Sequence, residues 1–277
     1  MSGRLAIVAT PIGNLEDITL RALRTLKEAD AILAEDTRRT KILCSHHGVS
    51  TRLRSFHAHT PDATVDSLVE ELREGKVFAL VTDAGTPLVS DPGARLVTAA
   101  ALADIRVEPI PGASAPLAAL SASGLRVSAF RFIGFLPRSG GKRRAAIDAI
   151  EVAAEASILF EAPNRLPATL KDLAERMPER PAAVGRELTK LHEEVRRGPL
   201  QELAEVFAEA PRGEITVVVE GAPKREAAVD GDALLRQARA LLAEGARTKQ
   251  VARDLAKAHG LPMREMYTLV LRAAEGH

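Results

Sequence analysis

The chain has 277 residues, 46% of them hydrophobic, enough to bury a sizeable core and to fill two domains of about 100 to 150 residues each. A formal net charge of +1 excludes a bulk electrostatic drive toward nucleic acid, so any basic partner surface has to come from local clustering. The single cysteine, Cys44, excludes an internal disulfide, fits a reducing compartment and reads as a packing residue rather than a nucleophile.

From the start of the chain, the apolar run 5–9 is too short for a signal h-region or a membrane span and reads as a first strand, so a cytoplasmic protein is expected. Runs 31–34, 77–81 and 106–110 read as further strands. Between them, segments 19–29, 63–74 and 92–103 carry apolar residues at helical spacing, as in Val65, Leu68, Val69 and Leu72. That alternation predicts a parallel sheet in a first domain, 1–120.

After the small, polar stretch at Ser121 to Gly124, strands are predicted at 130–135, 157–160, 182–187, 192–196 and 215–219, with a helix at 200–208. The short 187–192 connection suits a hairpin, so this second α/β domain, 121–221, should hold a mixed sheet. Residues 222–226 look like a linker. Helices at 232–243, 248–258 and 263–274 complete a 222–277 tail resembling a helix-turn-helix, with Gly260-Leu261-Pro262 as the turn.

Three strand ends share a small-residue design. Thr10-Pro11-Ile12-Gly13-Asn14 follows the first strand, where an open parallel sheet presents its ligand crevice, although an ordinary turn with Asn14 as a cap would read the same way. Thr82 to Pro87 makes a longer loop than a tight turn needs; Asp83 can accept hydrogen bonds there, and Ala84 and Gly85 let backbone approach a flat group. Asp91 is the expected N-cap of the next helix and Pro92 its first residue. Pro111-Gly112-Ala113-Ser114-Ala115 repeats the arrangement, and together the three loops suggest a crevice for a sizeable small molecule, or else close helix-to-sheet packing.

No turn has the dinucleotide or P-loop glycine pattern. No Cys/His cluster has metal spacing, and His46-His47 and His57/His59 read as surface residues, so no metal is expected. In the second domain, the loop 134–144 holds Arg138, Lys142, Arg143 and Arg144 among three glycines, which suits a phosphate backbone or a solvated helix start. At Glu161-Ala162-Pro163-Asn164-Arg165, Asn164 is placed to cap the following helix and Arg165 to reach a ligand. The 186–194 segment is dense in charge. If a weak nucleophile such as a hydroxyl must lose a proton, Glu187, a Lys190 of lowered pKa, Glu35 and Asp36 are the candidates.

Taken together, V-A-T-P-I-G-N-L-E-D-I-T at 8–19, A-E-D-T-R at 34–38, T-D-A-G-T-P-L-V-S-D-P-G at 82–93, P-G-A-S at 111–114, G-F-L-P-R at 134–138, R-E-L-T-K-L-H-E-E at 186–194 and G-E-I-T-V-V-V-E-G at 213–221 closely resemble the ribosomal RNA small subunit methyltransferase I family of the tetrapyrrole methylase superfamily. The resemblance spans nearly the whole chain. It implies an α/β fold of two α/β/α domains with a cofactor cleft between them and a helical tail. It further implies S-adenosylmethionine as methyl donor, the 2'-hydroxyl of a decoding-centre cytidine in 16S rRNA as acceptor, and a homodimer. Cofactor contacts carry over to Pro11, Asp83, Ala84, Gly85, Thr86, Ser114, Ala115, Phe160, Leu188, Ile215 and Thr216. Arg38, Arg138, Lys142, Arg143 and Arg144 are the cations expected at RNA, and Glu187, Lys190 and Asp36 the candidate catalytic groups. Ala162 departs from the Glu-Ser-Pro of many members, which puts any hydroxyl contact there in doubt. A methylase of a tetrapyrrole precursor, or a non-catalytic nucleic-acid binder using the helical tail, are the competing readings.

Overall fold

The computed structural model describes residues 3–90, 92–223, 231–259 and 261–275. They form two compact units, Met1–Ala222 and Pro223–His277.

The first unit opens with a parallel sheet in which the four expected strands, β1 (Arg4–Val8), β2 (Ala31–Ala34), β4 (Val77–Leu80) and β5 (Arg106–Ile110), are joined by a fifth not predicted, β3 (Leu53–Ser55), in the order β3-β2-β4-β1-β5. Helices cover both faces, which is why its inner strands are almost continuously apolar. On one side α1 (Leu20–Glu28) and α2 (Thr37–His46) enclose Leu26, Ile32, Cys44 and Ala79. On the other, α3 (Asp62–Arg73) and α4 (Ala94–Leu102) enclose Leu33, Leu68, Leu72, Phe78 and Leu96. Burial pushes the Cys44 thiol up, so it stays protonated and unreactive.

The structure corrects the predicted start of α4. The helix begins at Ala94, one residue after Gly93, whose φ of 131° and close contact with Leu80 and Leu88 admit no side chain. Pro92 therefore precedes the helix, and Asp91 lies outside the described residues.

A second sheet holds β6 (Phe130–Phe135), β7 (Ala156–Glu161), β8 (Pro181–Arg186), β9 (Glu194–Pro199) and β10 (Ile215–Val219) in the order β6-β7-β10-β8-β9. It is mixed, as predicted: β6 and β7 run parallel and the remaining pairs antiparallel. β9 starts two residues later than the sequence pattern suggests. The preceding loop holds Glu187 and Thr189 with φ of 49° and 66°, a wider turn than a tight hairpin. One face packs on α6 (Gly140–Val152), α7 (Leu166–Arg176) and α8 (Leu200–Val206) around Leu159, Leu170 and Val217.

The opposite face meets α5 (Ala115–Ala122), which follows β5 in sequence yet lies against β7, β8 and β10 of the second sheet. With Ile12, Ala119, Ile158, Leu188 and Val218 it makes an apolar seam that joins the two sheets. Residue 120, where the sequence pattern changes, falls inside this helix.

The second unit packs α9 (Gly231–Ala243), α10 (Thr248–His259) and α11 (Met263–Glu275) around Leu234, Ala238, Val251, Leu255, Met266 and Val270. The linker residues 224–226 and Gly260 of the predicted turn lie outside the described residues. Among the described residues, no helix is long and apolar enough to cross a membrane.

Candidate active site

In the order β3-β2-β4-β1-β5, the C-terminal ends of β4, β1 and β5 are neighbours, so the three small-residue loops meet above the sheet. They are stitched together. Thr10 N–H donates to Gly85 O at 2.8 Å and Gly85 N–H returns to Thr10 O at 3.0 Å. Thr10 Oγ1 donates to Thr82 O at 3.1 Å, and Thr86 Oγ1 to Ala113 O at 3.2 Å. Gly85 has φ 82°, which only glycine adopts without cost, while Leu88 and Ser90 take φ of 74° and 69° despite their side chains. Asn14 caps the short turn after β1 by accepting from Glu16 N–H, as its position suggested.

These loops form one wall of a cleft of about 400 Å³ between the two sheets. From the first half come Ala84, Gly85, Thr86, Ser114 and Ala115; from the second come Phe160, Ile215 and Thr216. All eight were singled out from sequence. Pro11, Asp83 and Leu188 lie behind the lining: Pro11 and Leu188 are buried, Leu188 in the seam under α5. Sequence reasoning missed Ile12, Phe135, Glu161 and Glu214, which also line the cleft. Their position at the ends of β1, β6, β7 and at the start of β10 was the available signal.

Asp83 works one layer back. Its Oδ1 accepts the Asp36 N–H at 3.0 Å and its Oδ2 lies 3.6 Å from Arg39 Nη1, so it fixes the 35–39 turn beside the cleft. Asp36 caps α2 through the Arg38 N–H and pairs with the Arg38 guanidinium at 2.8 Å. That side-chain bond holds the Asp36 carboxyl down at about 2. Arg38 is otherwise exposed.

Glu187, Lys190 and Glu214 form a charged cluster against the opposite wall. Lys190 Nζ donates to Glu187 Oε1 at 2.8 Å and lies 3.2 Å from Glu214 Oε2. Glu187 Oε1 also accepts the Glu214 N–H at 2.9 Å. The Lys190 bond, then the Glu214 amide, hold Glu187 below the usual carboxylate range. Burial pushes Lys190 down, but its bond to Glu187 and the charge of Glu214 outweigh it and leave its pKa raised. The lowered lysine pKa expected from the sequence is therefore not found. Gly213 makes room for this cluster, since a Cβ there would sit 2.4 Å from Glu187 Cγ.

At the end of β7, the buried Glu161 accepts from Ala162 N–H at 2.9 Å and from Thr169 Oγ1 at 2.5 Å, and pairs with Arg165 at 3.2 Å. Arg165 also donates to Leu136 O at 2.7 Å, so it braces a loop rather than reaching outward. Asn164 caps nothing; it sits inside a short 3-10 turn ahead of α7. Among the loop cations, Arg143 is largely buried and bound to Asp172 at 2.7 Å, Thr169 and Pro137 O, tying α6 to α7. Arg138, Lys142 and Arg144 are exposed. Among the described residues, no group of His, Cys, Asp and Glu could hold a metal.

The family model of Tetrapyrrole (Corrin/Porphyrin) Methylases matches residues 4–204. A Halalkalibacterium halodurans protein named ribosomal RNA small subunit methyltransferase I is 43% identical over 96% of this chain and 94% of its own length. One of the same name from Mesorhizobium japonicum is 46% identical over 96% of this chain and 91% of its own. The chain belongs to the ribosomal RNA small subunit methyltransferase I family, within the tetrapyrrole methylases. It shares its fold with the Thermus thermophilus uroporphyrin-III C-methyl transferase complexed with S-adenyl homocysteine, at a TM-score of 0.56 and 22% identity over 78% of this chain and 97% of that one.

Ala162 meets Glu161 through its backbone N–H, a contact that needs no hydroxyl.

Proposed function

We propose that this chain transfers a methyl group from S-adenosylmethionine to the ribose 2'-hydroxyl of a decoding-centre cytidine in 16S rRNA, acting on the small ribosomal subunit in the cytoplasm as a homodimer. Relatives of that name, similar along nearly the full chain, support the substrate class. The observation that carries the cofactor is the chemistry of the cleft. Its lining is mostly small and apolar, with no lysine or arginine, and its two carboxylates, Glu161 and Glu214, are already paired with Arg165 and Lys190, so it suits a flat, largely apolar cofactor and disfavours a nucleotide polyphosphate.

When bound, S-adenosylmethionine supplies an electrophilic methyl group. Ala84, Gly85 and Ala115 leave space for a flat ring system, while Phe160, Ile12 and Ile215 give it apolar contact. Ser114 heads α5 without using its side chain as a cap, which leaves its hydroxyl for a polar partner, and Thr216 presents a second hydroxyl from β10. Asp83 serves by holding the 35–39 turn, and Pro11 and Leu188 by supporting the wall from behind. In this reading residues 1–120 and 121–221 each supply one side of the cleft, and 222–277 is a linker and accessory tail.

The acceptor hydroxyl must give its proton to solvent water as its oxygen takes the methyl group and the donor leaves as S-adenosylhomocysteine. Lys190, kept charged by Glu187 and Glu214, is suited to stabilising the developing oxyanion, and Glu187 to holding the ammonium in place. Alignment of hydroxyl and methyl carbon supplies the rest. Asp36, neutralised by Arg38, contributes by shaping the turn. Arg38, Arg138, Lys142 and Arg144 are the cations placed to meet phosphates.

The deciding experiment incubates the purified protein with labelled S-adenosylmethionine and small subunits from a strain lacking the gene, then locates the label by mass spectrometry of 16S rRNA. One new ribose methyl on a decoding-centre cytidine is expected. Transfer to a tetrapyrrole and none to rRNA would overturn the reading.

A further inference from the structure

Strand β6 breaks its own alternation. Phe132 pairs with Ile158 of β7 and Phe135 with Phe160, so a step of three positions along β6 matches a step of two along β7. The extra residue makes a β-bulge, and Gly134 absorbs it with φ 72°. Regular alternation would place Phe135 on the same face as Ile133, which packs into the α6–α8 core. The bulge instead returns Phe135 to the face of Phe132 and Phe160, with ring centroids 5.6 Å from Phe160, and Phe132 4.9 Å from the same ring.

The outcome is an aromatic ladder that ends at the cleft mouth. Phe132 packs in the seam beside Ile12 and Leu188, Phe160 is half-buried, and Phe135 lines the cleft with 55% of its surface exposed. Both sides of the bulge are braced. Gly134 packs against Ser90 of the strained first-half loop, and Arg165 clamps the carbonyls of Leu136 and Pro137. Immediately beyond come the exposed cations Arg138, Lys142 and Arg144. A rigid aromatic face at the mouth, followed by cations suited to phosphate, is the pairing by which proteins hold an unstacked nucleotide.

We propose that Phe135 is a positioning residue that stacks on a nucleobase of the RNA substrate, holding the unstacked nucleotide at the cleft mouth. The proposal rests on the RNA methyltransferase reading above. It assigns the deeper Phe160 to the cofactor side and the exposed ring to the substrate side.

The test compares Phe135→Leu, which keeps apolar bulk but loses the π face, with Phe135→Tyr, which keeps both. Unmodified small subunits and labelled S-adenosylmethionine give kcat/KM, and calorimetry gives the Kd for S-adenosylhomocysteine. The Leu variant should lose about ten- to a hundredfold in kcat/KM for small subunits, with the Tyr variant within about threefold of wild type. The Kd should stay unchanged in both. Full activity of the Leu variant, a parallel weakening of S-adenosylhomocysteine, a changed oligomeric state, or failure of Tyr to rescue would each overturn the proposal. Absence of transfer by the wild-type protein would instead defeat the functional reading on which it rests.

Discussion

The backbone N–H of Asn14 donates to Oγ1 of Thr189 at 3.1 Å, tying the turn after β1 to the loop between β8 and β9. Both loops can come that close because Gly13 has no side chain: a Cβ there would lie 2.4 Å from Lys190 Cγ, 2.7 Å from Thr189 Oγ1 and 2.9 Å from the Leu188 carbonyl. The contact brings one loop of each sheet together beside the charged cluster.

Gly13→Ala should push the two loops apart. Overpacking of this kind costs about 1–3 kcal/mol, and here one of the obstructing atoms is backbone. Urea denaturation should show that loss, accompanied by slower methyl transfer. A variant as stable and as active as wild type would mean that the loops are free to separate.

Lys190 is held charged, so its proposed work is electrostatic. Lys190→Gln should lower kcat by about a hundredfold, the scale of losing one donor to a developing oxyanion. Lys190→Arg, which keeps a cation, should retain much more. Equal losses in the two variants would point to a neutral amine acting as a base.

Asp36 predicts a pH dependence. Its carboxyl is held at about 2, below the ordinary 3.8, first by the Arg38 side chain. A depressed carboxylate stabilises the fold above its unfolded value, and the contribution is lost as pH falls from about 4 to about 2. Asp36→Asn should flatten stability against pH in that window at low salt. Because the pair is exposed, the difference should shrink in about 1 M salt. A low-salt curve that matches wild type would remove the linkage.

Arg143 and its neighbours should separate cleanly. Arg143→Ala breaks charged bonds to Asp172 and Thr169, so it should cost about 1–3 kcal/mol of stability and leave the salt dependence of RNA binding alone. Lys142→Ala and Arg144→Ala should do the reverse, each lowering the magnitude of the log–log salt slope by about 1. A salt slope that changes only with Arg143 would place the buried guanidinium, and not the exposed cations, against phosphate.

The inner strands of the first sheet, β1, β2 and β4, were legible because buried parallel strands leave unbroken apolar runs, and α3 because its apolar residues recur on one face. α2 and β3 left no such trace. Only Thr40, Leu43 and Cys44 of α2 are buried, and β3 is three residues at a sheet edge. The cleft residues on small-residue turns could be found, since glycine and alanine at strand ends announce close approach. Phe135 could not, because its orientation depends on a bulge that alternation misreads. Arg143 looked like a surface cation in a basic loop; its partners, the buried Thr169 and the partly exposed Asp172, come from a helix more than twenty residues away, which no local pattern can reveal. The raised pKa of Lys190 rests first on its bond to Glu187, which is near in sequence, and then on Glu214, a neighbour only in the folded chain.

The strand order of the second sheet sets a schedule for biosynthesis. β10 is the last of its strands in sequence, yet it lies between β7 and β8, pairing with both. As the chain emerges from the N-terminus, the first sheet has all its strands by Ile110, while the β6-β7 and β8-β9 pairs cannot be joined into one sheet until Val219 is available. Ile215 and Thr216 on that strand also line the cleft. A nascent chain can thus assemble the first sheet early, but the cleft stays open on the β10 side until the end of this unit, and a chain cut short before β10 lacks both the central strand of its second sheet and part of the cleft wall.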